Sequence, residues 1–209
     1  MDRSAWDERY AQQESVWGGS ANVFVVRTLE ARVPGRALDL ACGEGRNALW
    51  LAELGWRVTA VDFSAVALAK GRAQADAAGV SVDWVEADVT EFQPEAGAFD
   101  AVVIAYLQLP PTVIKPVIAR AAAAVAPRGV LIVVSHDAAN LAEGVGGPQD
   151  PSVLHTVPQL VDAVAPLTVV QAERVERRVP GADRPALDAL VVATRPGPAP
   201  QDSGHQVAD

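Results

Sequence analysis

The sequence predicts an α/β fold, built on a doubly wound, mostly parallel sheet of about seven strands. Short apolar runs alternate with helical stretches rich in Ala and Leu, which is typical of βα units. The last two apolar runs are separated by about a dozen residues that include Pro180-Gly181, a spacing that favours an antiparallel C-terminal hairpin.

Two helical stretches are predicted before the first strand, Ser4–Glu14 and Ala21–Val33. They carry aromatic residues, Trp6 and Tyr10 among them, so we expect them to form an N-terminal helical lid over a ligand. The predicted strands are Ala37–Leu40, Arg57–Val61, Val80–Val85, Ala98–Ile104, Gly129–Val134, Leu167–Arg174 and Ala186–Thr194. The helices between them are predicted at Asn47–Leu54, Ala65–Ala78, Val113–Ala126 and Pro158–Val164.

The chain is predicted to form a single domain over residues 1–195, with the lid at 1–34 and the α/β core at 35–195. Its 209 residues, of which 50% are hydrophobic, suffice for one well-filled core. Residues 196–209 are rich in Pro, Gly, Ser and Gln and have little to bury, so this tail is predicted to be disordered.

Composition excludes several classes of partner. The net charge of −9 argues against nucleic acid and anionic membrane, which need clustered Lys and Arg. No apolar run reaches the roughly 20 residues of a membrane span, and the polar start predicts no signal peptide. The single cysteine, Cys42, excludes a disulfide framework and a multi-cysteine metal site. We therefore expect a cytoplasmic monomer or homodimer, without a metal, that acts on a small molecule.

The most informative segment follows the first predicted strand. The strand delivers Asp39, and the chain then breaks into Ala41-Cys42-Gly43-Glu44-Gly45 before a helix. Glycine allows positive φ and close approach of the backbone to a ligand, while the helix presents free N–H groups. The next strand ends in a second carboxylate, Asp62. This arrangement predicts a nucleoside-like ligand with one carboxylate near each end.

These residues resemble those of class I S-adenosylmethionine-dependent methyltransferases, which have a Rossmann-like fold. The resemblance covers roughly Trp6 to Arg195 and includes the loop, Asp62, Ala87-Asp88-Val89, the run FDAVV and the terminal hairpin. The stretch GEGRNALWLAELGWRVTAVDFS and the aromatic N-terminal segment are similar to the small bacterial branch that includes the tellurite-resistance methyltransferases. The resemblance implies methyl transfer from S-adenosylmethionine to a small-molecule acceptor by in-line displacement, releasing S-adenosylhomocysteine.

The resemblance also implies roles for individual cofactor-binding residues. The loop, with Ala41, Gly43 and Gly45, would wrap the methionine part; Ala41 stands where the family usually has glycine. Asp39 would accept hydrogen bonds from the ammonium group, while Tyr10 and Arg46 are candidates for the carboxylate. Asp62 would accept both ribose hydroxyls and Phe63 would lie against adenine. Asp88 would take the adenine amine, and the Val89 N–H would donate to a ring nitrogen. Tyr106 would lie near the sulfonium and its methyl group.

A general base is needed only if the acceptor is a hydroxyl, an amine or a reluctant thiol. The catalytic candidates are Tyr106, His136 and His155. His136 directly follows the fifth strand, and its ordinary pKa suits a base; for His155 a structural role in a loop is the alternative. Arg177, on the hairpin, could reach an anionic acceptor or face solvent.

Two alternatives stay open. Gly43-x-Gly45-x-x-Ala48 also fits a relaxed dinucleotide-binding fingerprint, which would indicate an NAD(P)-binding oxidoreductase. Asp39 disfavours this alternative because it would repel a pyrophosphate. The second alternative is a non-catalytic S-adenosylmethionine-binding protein.

Overall fold

The computed structural model describes residues 3–16 and 18–197. Its core is a seven-stranded sheet in the order β3-β2-β1-β4-β5-β7-β6. The strands are β1 Arg36–Leu40, β2 Arg57–Asp62, β3 Val82–Glu86, β4 Phe99–Ala105, β5 Val125–His136, β6 Thr168–Arg177 and β7 Ala186–Thr194. The first five strands pair in parallel, while β7 runs antiparallel to both β5 and β6. The predicted fold class is confirmed.

The helices are α1 Arg3–Gln12, α2 Val23–Leu29, α3 Arg46–Glu53, α4 Ala65–Ala78, α5 Pro111–Ala124, α6 Asn140–Glu143 and α7 Val157–Ala163. The starts of α2 and α5 each differ from the prediction by two residues, for local reasons. Asn22 caps α2 by accepting the N–H groups of Phe24 and Val25, so Ala21 lies outside the helix. Pro111 opens α5, a position where its missing N–H costs nothing. The prediction lacked α6 and a 3₁₀ turn at Pro151–Val153.

Apolar side chains are buried on both faces of the sheet, as a parallel sheet covered by helices requires. Leu38 and Leu40 of β1 contribute to the core on the α5 and α7 side. Ala37, on the opposite face, contributes to the core formed with α2, α3 and α4. The alternation along β1 therefore fixes which side each residue occupies.

The carboxyl ends of the parallel strands meet at one edge of the sheet, and this edge holds the predicted site residues. Asp62 ends β2, Tyr106 follows β4 and His136 ends β5. Because β7 runs antiparallel to β5, the first residues of β7 lie at the same edge, and Asp188 pairs directly with His136. The predicted tail 196–209 lies, beyond residue 197, outside the described residues. No described helix is long and apolar enough to cross a membrane.

Candidate functional site

The loop between β1 and α3 takes left-handed backbone conformations at three places, Ala41 (φ 56°), Gly43 (φ 57°) and Gly45 (φ 81°). Gly45 is required for a second reason, since an added Cβ would lie 2.3 Å from Trp84 Cη2. The loop is closed by the N–H of Gly45, which donates to the carbonyl of Cys42 at 3.0 Å. A compact bend therefore turns the chain from β1 into the first turn of α3.

Asp39 is a buried carboxylate with an unused oxygen. Its exposed fraction is 1%, and Oδ2 has no hydrogen-bond partner among the described residues. Burial raises the pKa of Asp39 to about 7, although the nearby Arg46 guanidinium and the Ala48 N–H oppose this rise. An unsatisfied buried acceptor is costly, so this oxygen is suited to a ligand that brings a donor.

Asp62 lies across the loop and holds it in place. Its Oδ2 accepts the N–H of Gly43 at 2.8 Å, and its Oδ1 accepts the N–H of Ser64 at 2.9 Å. Burial raises the pKa of Asp62, against these two hydrogen bonds. Because each carboxylate oxygen can accept more than one hydrogen bond, Asp62 retains capacity for two hydroxyl groups.

Helix α1 lies over the end of β2 and the start of α4. Asp7 accepts a hydrogen bond from the Ser64 hydroxyl. Arg3 pairs with Glu86 at 3.0 Å, and its guanidinium lies 6.0 Å from the Phe63 ring centre. The N-terminal helix thus covers the place where an adenosine group is expected.

Residues 10–16 form a strap that is held by a partly buried ion pair. Glu44 Oε1 lies 3.2 Å from Lys70 Nζ, while its Oε2 accepts the N–H of Val16 at 2.9 Å and the hydroxyl of Ser15 at 3.3 Å. Lys70 also donates to the carbonyls of Tyr10 and Gln13. One residue of the loop and one of α4 therefore tie down the N-terminal segment.

The loop, the lid and the carboxyl ends of the strands enclose a cavity. Its lining includes seven of the predicted site residues: Tyr10, Ala41, Gly43, Arg46, Asp62, Phe63 and Tyr106. Asp39 and Gly45 are not in the lining. The remaining lining residues are Trp6, Cys42, Asn47, Ala105, Leu107, Gln108, Leu109, Pro148, Asp150 and Val153. Burial raises the pKa of the Cys42 thiol, so it is not a nucleophile at neutral pH.

Asp88 and Val89 lie away from this cavity. Asp88 is exposed, and its Oδ1 accepts the N–H and the hydroxyl of Thr90 at 2.8 and 2.7 Å. Val89 is buried and its carbonyl accepts a hydrogen bond from Arg120. The structure thus gives Asp88 a turn-forming role, and its predicted contact with adenine remains a prediction.

The Tyr106 hydroxyl belongs to a buried network that the sequence analysis missed. It donates to Asp188 Oδ2 at 2.7 Å and accepts from Arg177 Nε at 2.8 Å and from Asn22 Nδ2 at 3.2 Å. One donated and two accepted hydrogen bonds use the whole capacity of a phenol. Burial, and after it the negative charge of Asp188, raise the pKa of Tyr106 well above its ordinary value. Tyr106 therefore lines the cavity with its ring but is not suited to accept a proton, contrary to one of its predicted roles.

Asp188 is the centre of this network and is fully buried. Burial alone would raise its pKa, but the neighbouring His136 and the hydrogen bonds from Tyr106 and Arg177 together hold this pKa below the ordinary value. Arg177 Nε lies 2.8 Å from Asp188 Oδ2, so this arginine is engaged within the protein rather than in the cavity lining. The signal that would have found Asp188 is a charged residue in the otherwise apolar strand ALDALVVAT.

His136 lies behind Tyr106, outside the cavity lining. Its Nδ1 is 3.2 Å from Asp188 Oδ1, without a well-formed hydrogen bond between them. Its ring lies 4.8 Å from that of Tyr106, and an added Cβ on Gly147 would come within 3.0 Å of the ring. His136 is thus packed between two neighbours, which does not favour the predicted role as a base.

His155 is a structural residue in this fold. It is fully buried; Nδ1 is 2.6 Å from the Ser135 hydroxyl and Nε2 is 2.9 Å from the Leu109 carbonyl. Since a carbonyl only accepts, Nε2 carries the proton and Nδ1 accepts from Ser135. Burial lowers the pKa of His155, which favours this neutral form. The predicted catalytic role is therefore not supported, because both ring nitrogens are committed away from the cavity.

No group of three or more His, Cys, Asp or Glu side chains is arranged to hold a metal ion within residues 3–16 and 18–197. The side chains that line the cavity are suited to an organic ligand, with two carboxylates and one guanidinium within a mainly apolar and aromatic lining.

Comparisons with known proteins agree with this description. Residues 37–129 match the protein family described as "Methyltransferase domain". The demethylmenaquinone methyltransferase of Thermus thermophilus is 44% identical over 77 residues, which make up 36% of this chain and 35% of that protein. The chain thus spans about a third of the length of the curated relatives it matches.

Solved structures show the same fold over most of the chain. TehB from Haemophilus influenzae has a TM-score of 0.72 at 17% identity, covering 91% of this chain and 67% of that one. The 1,6-didemethyltoxoflavin-N1-methyltransferase of Burkholderia thailandensis, solved with bound 1,6-didemethyltoxoflavin and S-adenosylhomocysteine, has a TM-score of 0.69 at 23% identity, covering 93% of this chain and 87% of that one. At these identities the likeness concerns the fold.

Proposed function

We propose that this chain is an S-adenosylmethionine-dependent methyltransferase that acts on a small molecule. The observation that carries the proposal is the unpartnered Oδ2 of Asp39, buried beside a left-handed loop, with Asp62 on the other side of that loop. S-adenosylmethionine offers an ammonium group for the unpartnered oxygen of Asp39 and two ribose hydroxyls for the remaining acceptor capacity of Asp62.

The residues present fit the cofactor. Asp39 holds the ammonium group, and Arg46 holds the carboxylate, for which its charge and its place in the first turn of α3 suit it. Asp62 accepts the ribose hydroxyls, and Phe63 packs against the adenine under α1. The matched methyltransferase domain, residues 37–129, contains the loop and both carboxylates.

When bound, the cofactor supplies an electrophilic methyl group on a positively charged sulfur. The protein's part is to hold donor and acceptor in line and to exclude water, an orientation effect that contributes several kcal/mol. The ring of Tyr106, fixed through its hydroxyl, forms the cavity wall where the methyl group is expected. The lid and strap close the cavity on the solvent side.

The relation to the tellurite-resistance branch is a narrower part of this proposal. Its support is the aromatic N-terminal segment, which supplies Trp6 and Tyr10 to the cavity lining, and the fold shared with TehB. This relation concerns the fold and the N-terminal part of the cavity lining, and it does not identify the methyl acceptor.

A dinucleotide-binding oxidoreductase is the competing function. Asp39 argues against it, because a buried carboxylate below the glycine loop disfavours a pyrophosphate there. Calorimetric titration with S-adenosylmethionine, S-adenosylhomocysteine and NAD separates the two. We expect binding of the first two and none of NAD; binding of NAD alone would overturn the proposal.

A further inference from the structure

The acceptor end of the cavity is the part formed by the segment after β4 and by the segment around the 3₁₀ turn. Its residues are Leu107, Gln108, Leu109, Pro148, Asp150 and Val153. Four of these six side chains are apolar, so the acceptor needs an apolar body. The polar ones are a neutral amide and a carboxylate.

No proton acceptor for a hydroxyl group is available at this end among the described lining residues. Tyr106 has its hydroxyl saturated, and His136 and His155 lie outside the lining. Asp62 is engaged by two backbone N–H groups and belongs to the cofactor end. The Ser152 hydroxyl and N–H hold the pKa of Asp150 below its ordinary value, which makes it a weak base.

The acceptor end also lacks a group for an anion. Among the described residues that line the cavity, Arg46 is the cation, and it lies at the cofactor end, where Asp39 and Tyr10 influence it. Arg177, which the sequence offered for an anionic acceptor, is engaged by Asp188 and Tyr106. The chain as a whole carries a net charge of −9, which further disfavours anions.

Asp150 is therefore the charged side chain at this end of the cavity, where it is exposed to solvent. Its Oδ1 accepts the N–H of Ser152 at 2.9 Å and so caps the 3₁₀ turn, which fixes the carboxylate at the cavity lining. A fixed negative charge stabilises positive charge that develops during a reaction. It does nothing comparable for an oxygen nucleophile that must first lose a proton.

We propose that the acceptor is a neutral nitrogen nucleophile, an aromatic amine or a nitrogen heterocycle, whose developing positive charge is stabilised by Asp150. This proposal rests on the proposed methyl transfer. The nitrogen lone pair forms the new C–N bond while the C–S bond breaks, and the electron pair of that bond stays on sulfur, which becomes neutral. The nitrogen becomes positively charged; an amine then releases a proton to water, whereas a heterocycle without an N–H stays cationic.

The test uses two sets of compounds that share a ring: aniline, phenol and benzoate, and aminoindole, hydroxyindole and indole carboxylate. Formation of S-adenosylhomocysteine and the methylated product are measured by mass spectrometry. Binding is measured separately by calorimetry, with each compound titrated into protein saturated with S-adenosylhomocysteine. We expect the amines to bind and to be methylated on nitrogen.

Asp150→Asn separates the effect of the negative charge from that of the turn structure, because the amide oxygen can still accept the Ser152 N–H. We expect its kcat/KM for the amine to fall about fivefold, the scale of a charge interaction of about 1 kcal/mol at a solvent-exposed site, with amine binding weakened and cofactor affinity unchanged. Asp162→Asn, an exposed residue of α7 that pairs with Lys115, is the matched control and should leave all three values unchanged.

Each outcome of these experiments supports or overturns the proposal. Transfer to the phenols or carboxylates, no transfer to any amine while the cofactor binds, or full activity of Asp150→Asn would overturn the proposal. Absence of cofactor binding would instead reject the methyltransferase function itself.

Discussion

The N–H of Gly43 donates to Asp62 Oδ2 at 2.8 Å, so the end of β2 holds the bend that follows β1. The residue expected to bind ribose is therefore directly hydrogen-bonded to the loop expected to wrap methionine. A change at Asp62 therefore acts on both.

Asp62→Ala is predicted to weaken S-adenosylmethionine binding by about 1.5–3 kcal/mol, the scale of lost hydrogen bonds to a charged group. Titration calorimetry measures this loss. Asp76→Ala, an exposed aspartate of α4, is the control and should bind normally. Equal affinities of the two variants would remove Asp62 from the site.

Cofactor affinity is predicted to rise with pH as Asp39 ionises. The pKa of this carboxyl is about 7 in the folded protein, raised from 3.8. The ammonium group of the cofactor favours the ionised form, so binding is weaker where the carboxyl is protonated. Calorimetry at about pH 5.5 and about pH 7.5 should show an increase approaching tenfold per pH unit below the pKa.

The same group has the opposite effect on the stability of the unliganded protein. A raised carboxyl pKa means that the folded state binds more protons than the unfolded state, so stability falls as pH rises from 3.8 to about 7. Asp39→Asn should remove this part of the pH dependence and flatten the binding profile. If the cofactor affinity of the wild-type protein depended on pH as little as that of the variant, Asp39 would not face the ammonium group.

Ala41→Gly is predicted to stabilise the protein slightly. Ala41 has φ 56°, where an alanine is strained by about 1–2 kcal/mol and a glycine is not. Glycine loses more backbone entropy on folding, by about 0.5–1 kcal/mol, so the expected net gain is about 0–1.5 kcal/mol. Urea denaturation measures it. Ala73→Gly, in the middle of α4, should destabilise by about 0.5–1 kcal/mol, and an equal loss in Ala41→Gly would contradict the loop conformation.

Gly45→Ala is predicted to destabilise by about 2–4 kcal/mol, because left-handed strain adds to the overlap of its Cβ with the Trp84 ring. Gly55→Ala is the matched control. Gly55 also has positive φ, 88°, but an added Cβ there meets nothing within 4 Å, so only the strain of about 1–2 kcal/mol is expected. Similar losses in both variants under urea would mean that Trp84 does not pack on the loop.

Glu44→Gln is predicted to loosen the strap, because the variant loses the charge that pairs with Lys70 and accepts from Val16. Trypsin should then cleave after Arg9 about fivefold faster, and the Val16 N–H should exchange faster. Glu53→Gln, exposed at the end of α3, is the control. Unchanged cleavage in both variants would show that Glu44 does not hold the strap.

The sequence sufficed for the fold because strand periodicity and the order of elements are local signals. Seven strands, their directions and the C-terminal hairpin agree with the prediction. The loop and its two carboxylates could likewise be predicted, since glycine, strand ends and acidic residues are contiguous patterns. The starts of α2 and α5 moved by two residues because Asn22 caps α2 and Pro111 is the first residue of α5.

The Asp188 network could not be predicted in the same way. Asp188 meets Tyr106 across 82 residues, and the contact depends on β7 being inserted antiparallel beside β5. The surroundings of His136 and His155 could not be predicted for a related reason. Position along the chain identified the correct edge of the sheet, but contacts with Gly147 and Ser135 place the two rings outside the cavity lining, so their catalytic roles stay predictions that the geometry does not favour.

The most direct test of the central claim is a crystal structure with S-adenosylhomocysteine bound. We expect the amino group of the ligand to donate to Asp39 Oδ2 and both ribose hydroxyls to donate to Asp62, at hydrogen-bond distances of about 2.6–3.2 Å. A ligand bound elsewhere, or one that leaves both carboxylates without contact, would contradict the account.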